Sequence, residues 1–220
     1  LLNVEAAAQL RHAGFAHPIV MLEGMFTRDE VADYVAQHLI PVLHQPEQLD
    51  WLLQADLPRP FDVWVKLNTG MNRLGFPPAQ LPQLLAQLQA SANVNRITLM
   101  THFANADIVG GADAQLCRFS SAVAGLDLQS SLANSAALID LPDTRADWVR
   151  PGIMLYGASP FAERSAAALG LQPVMTLQSR IIATQMLQPG DSAGYGSLFT
   201  ATAPTRIGTV ACGYADGYPR

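Results

Sequence analysis

The chain has 220 residues, 50% of them hydrophobic and 14% charged, with 13 Lys+Arg against 18 Asp+Glu and a formal net charge of −5. That length buries a sizeable core without staples, and the composition is too apolar for disorder. The acidic balance, with no basic cluster, excludes a nucleic-acid-binding face, and no apolar stretch approaches the ~20 residues of a membrane span.

LLNVEAAAQL opens as the tail of a strand turning into a helix, and GYADGYPR closes with no terminal helix or polar tail, so the sequence reads as an internal piece of a longer polypeptide. Between them, short β-rich runs are predicted at 18–24, 39–44, 61–68, 97–103, 128–134 and 148–156. Helical patterns occupy 27–37, 46–55, 78–90 and 112–125. Thr27 and Glu30 have the spacing of a capping box, and Leu81, Leu84, Leu85 and Leu88 recur at three- and four-residue steps on one face. Several runs are almost continuously apolar, as in parallel strands buried on both sides. Repeated βα units of this kind imply a (β/α)8 barrel or a doubly wound sheet. The barrel is favoured because Lys66, Asn68, His102, Asn134, Ser135 and Arg150 all fall at or just past the C-terminal ends of predicted strands, which converge on one mouth. After Gly170 the pattern changes to strands punctuated by PGD and Gly-rich turns. The expected organisation is a partial barrel over 1–165 and the beginning of a β domain over 166–220, with the boundary near 160–172.

Lys66 is the only lysine. At the end of an apolar strand it suits a Schiff-base lysine with a lowered pKa, or equally a lysine whose stem is buried while its head pairs with a carboxylate. Ser135, before the helix-compatible AALI, could face an anion or could cap that helix. In RPGI, Arg150 precedes a glycine whose backbone allows close approach of a ligand, or simply makes a turn. His102 reads as a catalyst or as a hydrogen-bonded core histidine, and Tyr195, between glycines, as a reaching side chain or a turn residue. Cys117 and Cys212 form no metal or redox spacing and suit a reducing compartment, and no metal site is expected.

Six segments in register, KLNTGMNRLGF (66–76), THFA (101–104), LANSAA (132–137), RPGIMLYG (150–157), AGYGSLFTA (193–201) and GYADGYPR (213–220), closely resemble bacterial alanine racemases, enzymes of fold type III that use pyridoxal 5'-phosphate (PLP). The resemblance implies two-base interconversion of L- and D-alanine, supply of D-alanine as a peptidoglycan precursor, a cytoplasmic homodimer with shared active sites, and no membrane or nucleic-acid partner. It puts a catalytic base on Tyr195, the substrate carboxylate on Arg73, the pyridine ring against His102, the ring nitrogen on Arg150, the phosphate on Ser135, Gly152 and Ile153, and the entrance on Tyr214. The family's strand-end lysine is often carbamylated and positions the arginine, so Lys66 becomes a support residue. A free tyrosine, with a pKa near 10, is only ~0.1% ionised at neutral pH, so a tyrosine base needs cations or hydrogen-bond donors nearby.

The family's Schiff-base lysine precedes the region where this sequence begins. Six predicted strands and the opening remnant fall short of the eight in a closed barrel. This piece alone is therefore expected to be inactive. The competing readings are a broad-specificity racemase or another fold-type-III enzyme, a lyase-type barrel with its Schiff base on Lys66, and a non-catalytic fragment with exposed sheet edges.

Overall fold

The computed structural model describes residues 1–219 and divides into two compact units, Leu1–Gln172 and Pro173–Arg220. In the first, strands β1 (Ile19–Met21), β2 (Leu39–Leu43), β3 (Phe61–Lys66), β4 (Val94–Met100) and β5 (Gln129–Ser131) form one five-stranded sheet in sequence order. Every neighbouring pair is parallel. Such connections need crossovers, and the chain supplies them as helices: α1 (Val4–His12) before β1, then α2 (Glu30–Gln37), α3 (Pro46–Gln54), α4 (Leu81–Ala90) and α5 (Asp113–Val123) between strands, with α6 (Ser135–Asp140) after β5. This is a parallel half-barrel with helices against its outer face.

Alternation along the strands sorts side chains between two layers. Phe61, Val63, Val65 and Leu67 pack outward with the helices, where Leu81, Leu84, Leu85 and Leu88 are all buried as the leucine spacing predicts. The other face of β3 gives Trp64 to an inner cluster with Val42 and Met100, against which Val20, Leu22, Ile40 and Trp148 pack. Trp64 and Trp148 meet edge to face at 5.6 Å between centroids. Two residues beyond these inner apolar positions come His44, Lys66 and His102. The inward rows of β2, β3 and β4 thus end on polar groups at the mouth.

Two local expectations are corrected. The run at 148–156 is not a strand: only Trp148 bridges β5, through Ser131, and Ile153–Tyr156 is a 3-10 helix. Pro151 has no N–H to donate to a ladder, and the next N–H groups turn to a side chain described below. The sheet therefore has five strands where six were expected. The capping box at Thr27 does not form either. Helix α2 begins at Glu30, whose carboxylate accepts from the Phe26 N–H at 2.7 Å. At the opening, Asn3 caps α1 by accepting from the Ala6 N–H, and Leu1 exchanges backbone hydrogen bonds with Val20 and Leu22 alongside β1.

The second unit is β-rich. Strands β6 (Ile181–Leu187) and β9 (Thr205–Val210) pair antiparallel, as do the two-residue strands β7 (Ser192–Ala193) and β8 (Phe199–Thr200). The PGD turn closes when Asp191 accepts from the Gln188 N–H at 2.7 Å. Among the described residues, no helix in either unit is long and apolar enough to cross a membrane.

Candidate active site

The C-terminal ends of β3, β4 and β5 and the segment after Trp148 bring Lys66, His102, Ser135, Arg150, Gly152 and Ile153 to one side of the first unit. A cleft of about 490 Å³ is lined by His102, Asn134, Ser135, Arg150, Gly152 and Ile153, with Asp107 at its wall. Lys66, Arg73 and His102 line an adjoining closed recess.

Ser135 is the hub of the cleft. Asn134, not Ser135, caps α6: its Oδ1 accepts from the Ala137 N–H at 3.1 Å. That frees the Ser135 hydroxyl, whose Oγ accepts from the N–H groups of Gly152 at 2.8 Å and Met154 at 3.4 Å. Two acceptances use both lone pairs of a hydroxyl, so its single O–H is left to donate. Neither that O–H nor the Ile153 N–H finds an acceptor among the described residues. A site with two such donors fits an anion with several acceptor oxygens, because an acceptor-poor ligand would leave them unmet.

Arg150 is held by neutral acceptors: Ser131 Oγ in a very short contact, Thr101 O at 2.5 Å, Leu132 O at 3.2 Å and the Nδ1 of His102 at 3.5 Å. Among the described residues no carboxylate pairs with it. Burial lowers its pKa to about 10, which still leaves only about one molecule in a thousand unprotonated at pH 7. Arginine has no acceptor, so the facing Nδ1 of His102 must carry the lone pair. Burial, then the charges of Arg150, Lys66 and Arg73, lower the His102 pKa to about 4. The ring is neutral at pH 7, a flat uncharged face beside a fixed cation.

Lys66 is 7% exposed. The expectation that its head pairs with a carboxylate is not met: it makes no ion pair or hydrogen bond among the described residues, and Glu23 acts on it only through space. Burial, with Arg73 and Arg150, lowers its pKa to about 8. Arg73 is carried on a loop that returns to β3: Phe76 N donates to Lys66 O at 2.8 Å and Asn68 N to Phe76 O at 2.9 Å. Inside the loop, Asn68 Oδ1 accepts from the N–H groups of Gly70 and Asn72. Gly75 permits the closure. It lies at φ +121°, and a Cβ there would come within 2.8 Å of Asn68 N and 3.0 Å of Lys66 O.

Tyr195 and Tyr214 belong to the second unit. Tyr195 begins the 3-10 turn Tyr195–Ser197 between Gly194 and Gly196, both at positive φ, and its side chain is exposed. Tyr214 begins a similar turn, closed by Asp216 accepting from the Gly213 N–H at 3.0 Å.

Sequence reasoning missed Glu23, His44 and Asp107. His44 directly follows β2, with Nε2 2.7 Å from Glu23 O, and Gln48 braces both by accepting from His44 N and donating to Glu23 O. Burial is the main cause lowering the His44 pKa. Both residues end predicted strands, so the rule that singled out Lys66 reaches them too. Asp107 sits in a loop without such a signal.

The family model for the alanine racemase N-terminal domain matches residues 1–160, and that for the C-terminal domain matches 174–220. An alanine racemase of Laribacter hongkongensis is 55% identical over 214 residues, covering 97% of this chain and 60% of that protein. One of Thiobacillus denitrificans is 53% identical, covering 100% and 60%. The crystal structure of the biosynthetic alanine racemase of Pseudomonas aeruginosa superposes with a TM-score of 0.94 at 44% identity, covering 100% of this chain and 62% of that one. The chain thus spans about 60% of the length of the curated relatives it matches. With the N-terminal model matched over the half-barrel and the C-terminal model over the β-rich unit that follows it, this chain belongs to the alanine racemase family.

Proposed function

We propose that the full-length protein interconverts L- and D-alanine with pyridoxal 5'-phosphate by two-base racemisation, as a cytoplasmic homodimer with shared active sites that supplies D-alanine for peptidoglycan. The observation that carries this reading is the donor set of the cleft. Ser135 O–H and Ile153 N–H lack acceptors, and Arg150 is a cation held only by neutral groups. Those residues fit the cofactor. Ser135 and Ile153 would hold the phosphate, and Gly152 contributes through its N–H to the Ser135 oxygen.

When bound, the cofactor acidifies the Cα–H bond of the amino acid by withdrawing its electron pair. Arg150 would donate a hydrogen bond to the ring nitrogen and, with a pKa of about 10, would keep its own proton at neutral pH. That restrains return of the proton to the wrong carbon, which gives transamination. Neutral His102 covers the ring without adding a second cation. Arg73 binds the substrate carboxylate. By the family resemblance, Tyr195 serves the partner subunit's site, where it would move the Cα proton on one face while a second base acts on the other, and Tyr214 would line the entrance.

The lowered pKa of Lys66 leaves roughly a tenth of its amine neutral at pH 7. Neutral amine adds to carbon dioxide, forming an N–C bond and releasing one proton. The resulting carbamate replaces a buried cation by an anion facing Arg73, which gives Lys66 its support role. The test is D-alanine formation from L-alanine by the full-length protein with added cofactor. Steady conversion to an equal mixture is expected, and none at saturating cofactor overturns the reading.

A further inference from the structure

We propose that Gln115, on the helix behind the cleft, is a positioning residue whose side-chain amide clamps the backbone on both sides of Phe103 and thereby fixes the ring of His102 for the cofactor. The proposal rests on the cofactor reading above. Beyond β4, the segment 101–104 has no continuous strand partner, yet it carries His102. Gln115 supplies the missing partner from α5. Its Oε1 accepts from the Ala104 N–H at 2.8 Å and its Nε2 donates to His102 O at 3.0 Å. A side-chain amide used this way imitates one rung of a ladder. Phe103 between the two is 1% exposed and locks the segment into the outer core. Flipping the amide would set an NH2 against an N–H and a carbonyl against a carbonyl, so the contacts define its orientation.

The same Nε2 reaches Thr69 Oγ1 at 3.3 Å. Thr101 Oγ1 donates to Leu67 O at 3.1 Å, which uses its one proton. The 2.6 Å contact between the two threonine hydroxyls must then be donated by Thr69. The result is a one-way chain, Gln115 N–H to Thr69 O–H to Thr101 O–H to Leu67 C=O. Gln115, Thr69 and Thr101 are each buried, so no solvent competes for these partners. Cooperative polarisation strengthens such a chain, and an unmet member is costly.

Three cleft groups depend on it. Thr101 O holds Arg150 Nη2, His102 O is held directly, and Thr69 opens the loop that carries Arg73. One helical turn beyond Gln115, Arg118 Nη1 donates to Thr69 O at 2.9 Å. A Cβ at Gly70 would stand 3.1 Å from both Arg118 Nη1 and Gln115 Cγ, so the helix face seats closely on that loop. Gln115 itself does not line the cleft. It acts through others.

The test uses the full-length protein with Gln115→Met, which keeps the length and removes every hydrogen bond. The control is Phe119→Leu, a core substitution on the same helix outside the network. Two quantities are read: the dissociation constant for pyridoxal phosphate by absorbance titration, and the exchange rate of the Ala104 amide hydrogen in the cofactor-free protein. In Gln115→Met, amide exchange should accelerate at least tenfold and the dissociation constant rise at least tenfold. Phe119→Leu should lower Tm without changing the dissociation constant more than twofold. A dissociation constant for Gln115→Met within twofold of the parent overturns the proposal, as does an equal rise in the control, because then only stability has been lost. If Gln115→Met does not fold, Gln115→Glu is read the same way: it keeps the acceptor for Ala104 and loses the donors, so weakened cofactor binding is again required. A parent protein that fails to bind the cofactor refutes the functional reading, while Ala104 exchange still tests the clamp.

Discussion

Replacing His102 by Gln should remove a specific part of the acid sensitivity of the fold. Burial and three cations lower the His102 pKa from 6.5 to about 4. The folded state therefore resists the proton that the unfolded chain accepts, and linkage favours unfolding as pH falls. The stability contributed by the neutral ring is complete above pH 6.5 and is lost progressively between 6.5 and 4. Unscreened, a difference of that size corresponds to about 3 kcal/mol, of which most has appeared by pH 4.5. The ring is partly exposed, so solvent screening reduces the expected value to roughly 1–2 kcal/mol. The assay is urea unfolding of the cofactor-free full-length protein and of His102→Gln at pH 7.5, 6, 5 and 4.5. Every other side chain is common to both proteins, so the difference isolates His102. The parent should lose about 1–2 kcal/mol more than the variant across that range. Parallel pH curves, or a parent that gains relative to the variant on acidification, would refute the argument that the ring is held neutral beside Arg150.

Three further outcomes are expected. Gly75→Ala should cost about 2–4 kcal/mol of stability, because a Cβ at φ +121° meets Asn68 N and Lys66 O; an unchanged Tm would mean that the loop closes differently. Arg150→Glu should raise transamination of alanine relative to racemisation, read as pyruvate released per D-alanine formed, and an unchanged ratio would count against the role given to a protonated donor at the ring nitrogen. Incubation of the full-length protein with 13C-bicarbonate should give a carbamate carbon resonance that Lys66→Met loses, Lys66 being the only lysine of these 220 residues; identical spectra would remove Lys66 from that chemistry.

Much of the half-barrel could be read from periodicity, because β2 and β3 carry the continuous apolar runs of buried parallel strands and α4 the leucine spacing of a helix with one buried face. The strand-end rule found Lys66, His102 and Ser135, which stand at the mouth; Arg150 joins them there from the turn after Trp148, not from the end of a strand. It failed over 148–156, where an apolar run resembles a strand until the missing N–H of Pro151 and the competing oxygen of Ser135 are considered. The thirty-odd residues separating Thr69 from Thr101 and the forty-six separating it from Gln115 hid the polar chain, because no local pattern announces a hydrogen bond made across strands. Glu23 and His44 were within reach of the same rule and were passed over, since a carboxylate and an imidazole at strand ends carry no motif of their own. The role of Ser135 was also only half legible. Sequence offered a cap or an anion ligand, and the neighbouring Asn134 takes the cap.

The most direct measurement is the conversion of L-alanine in deuterium oxide by the full-length protein with cofactor, with both enantiomers recovered early in the reaction and weighed for deuterium at Cα. Two bases on opposite faces predict that newly formed D-alanine carries solvent deuterium while the remaining L-alanine is still largely protiated, and that Tyr195→Phe suppresses the conversion. D-alanine that forms with its original hydrogen retained, at a rate unaffected by Tyr195→Phe, would contradict the account.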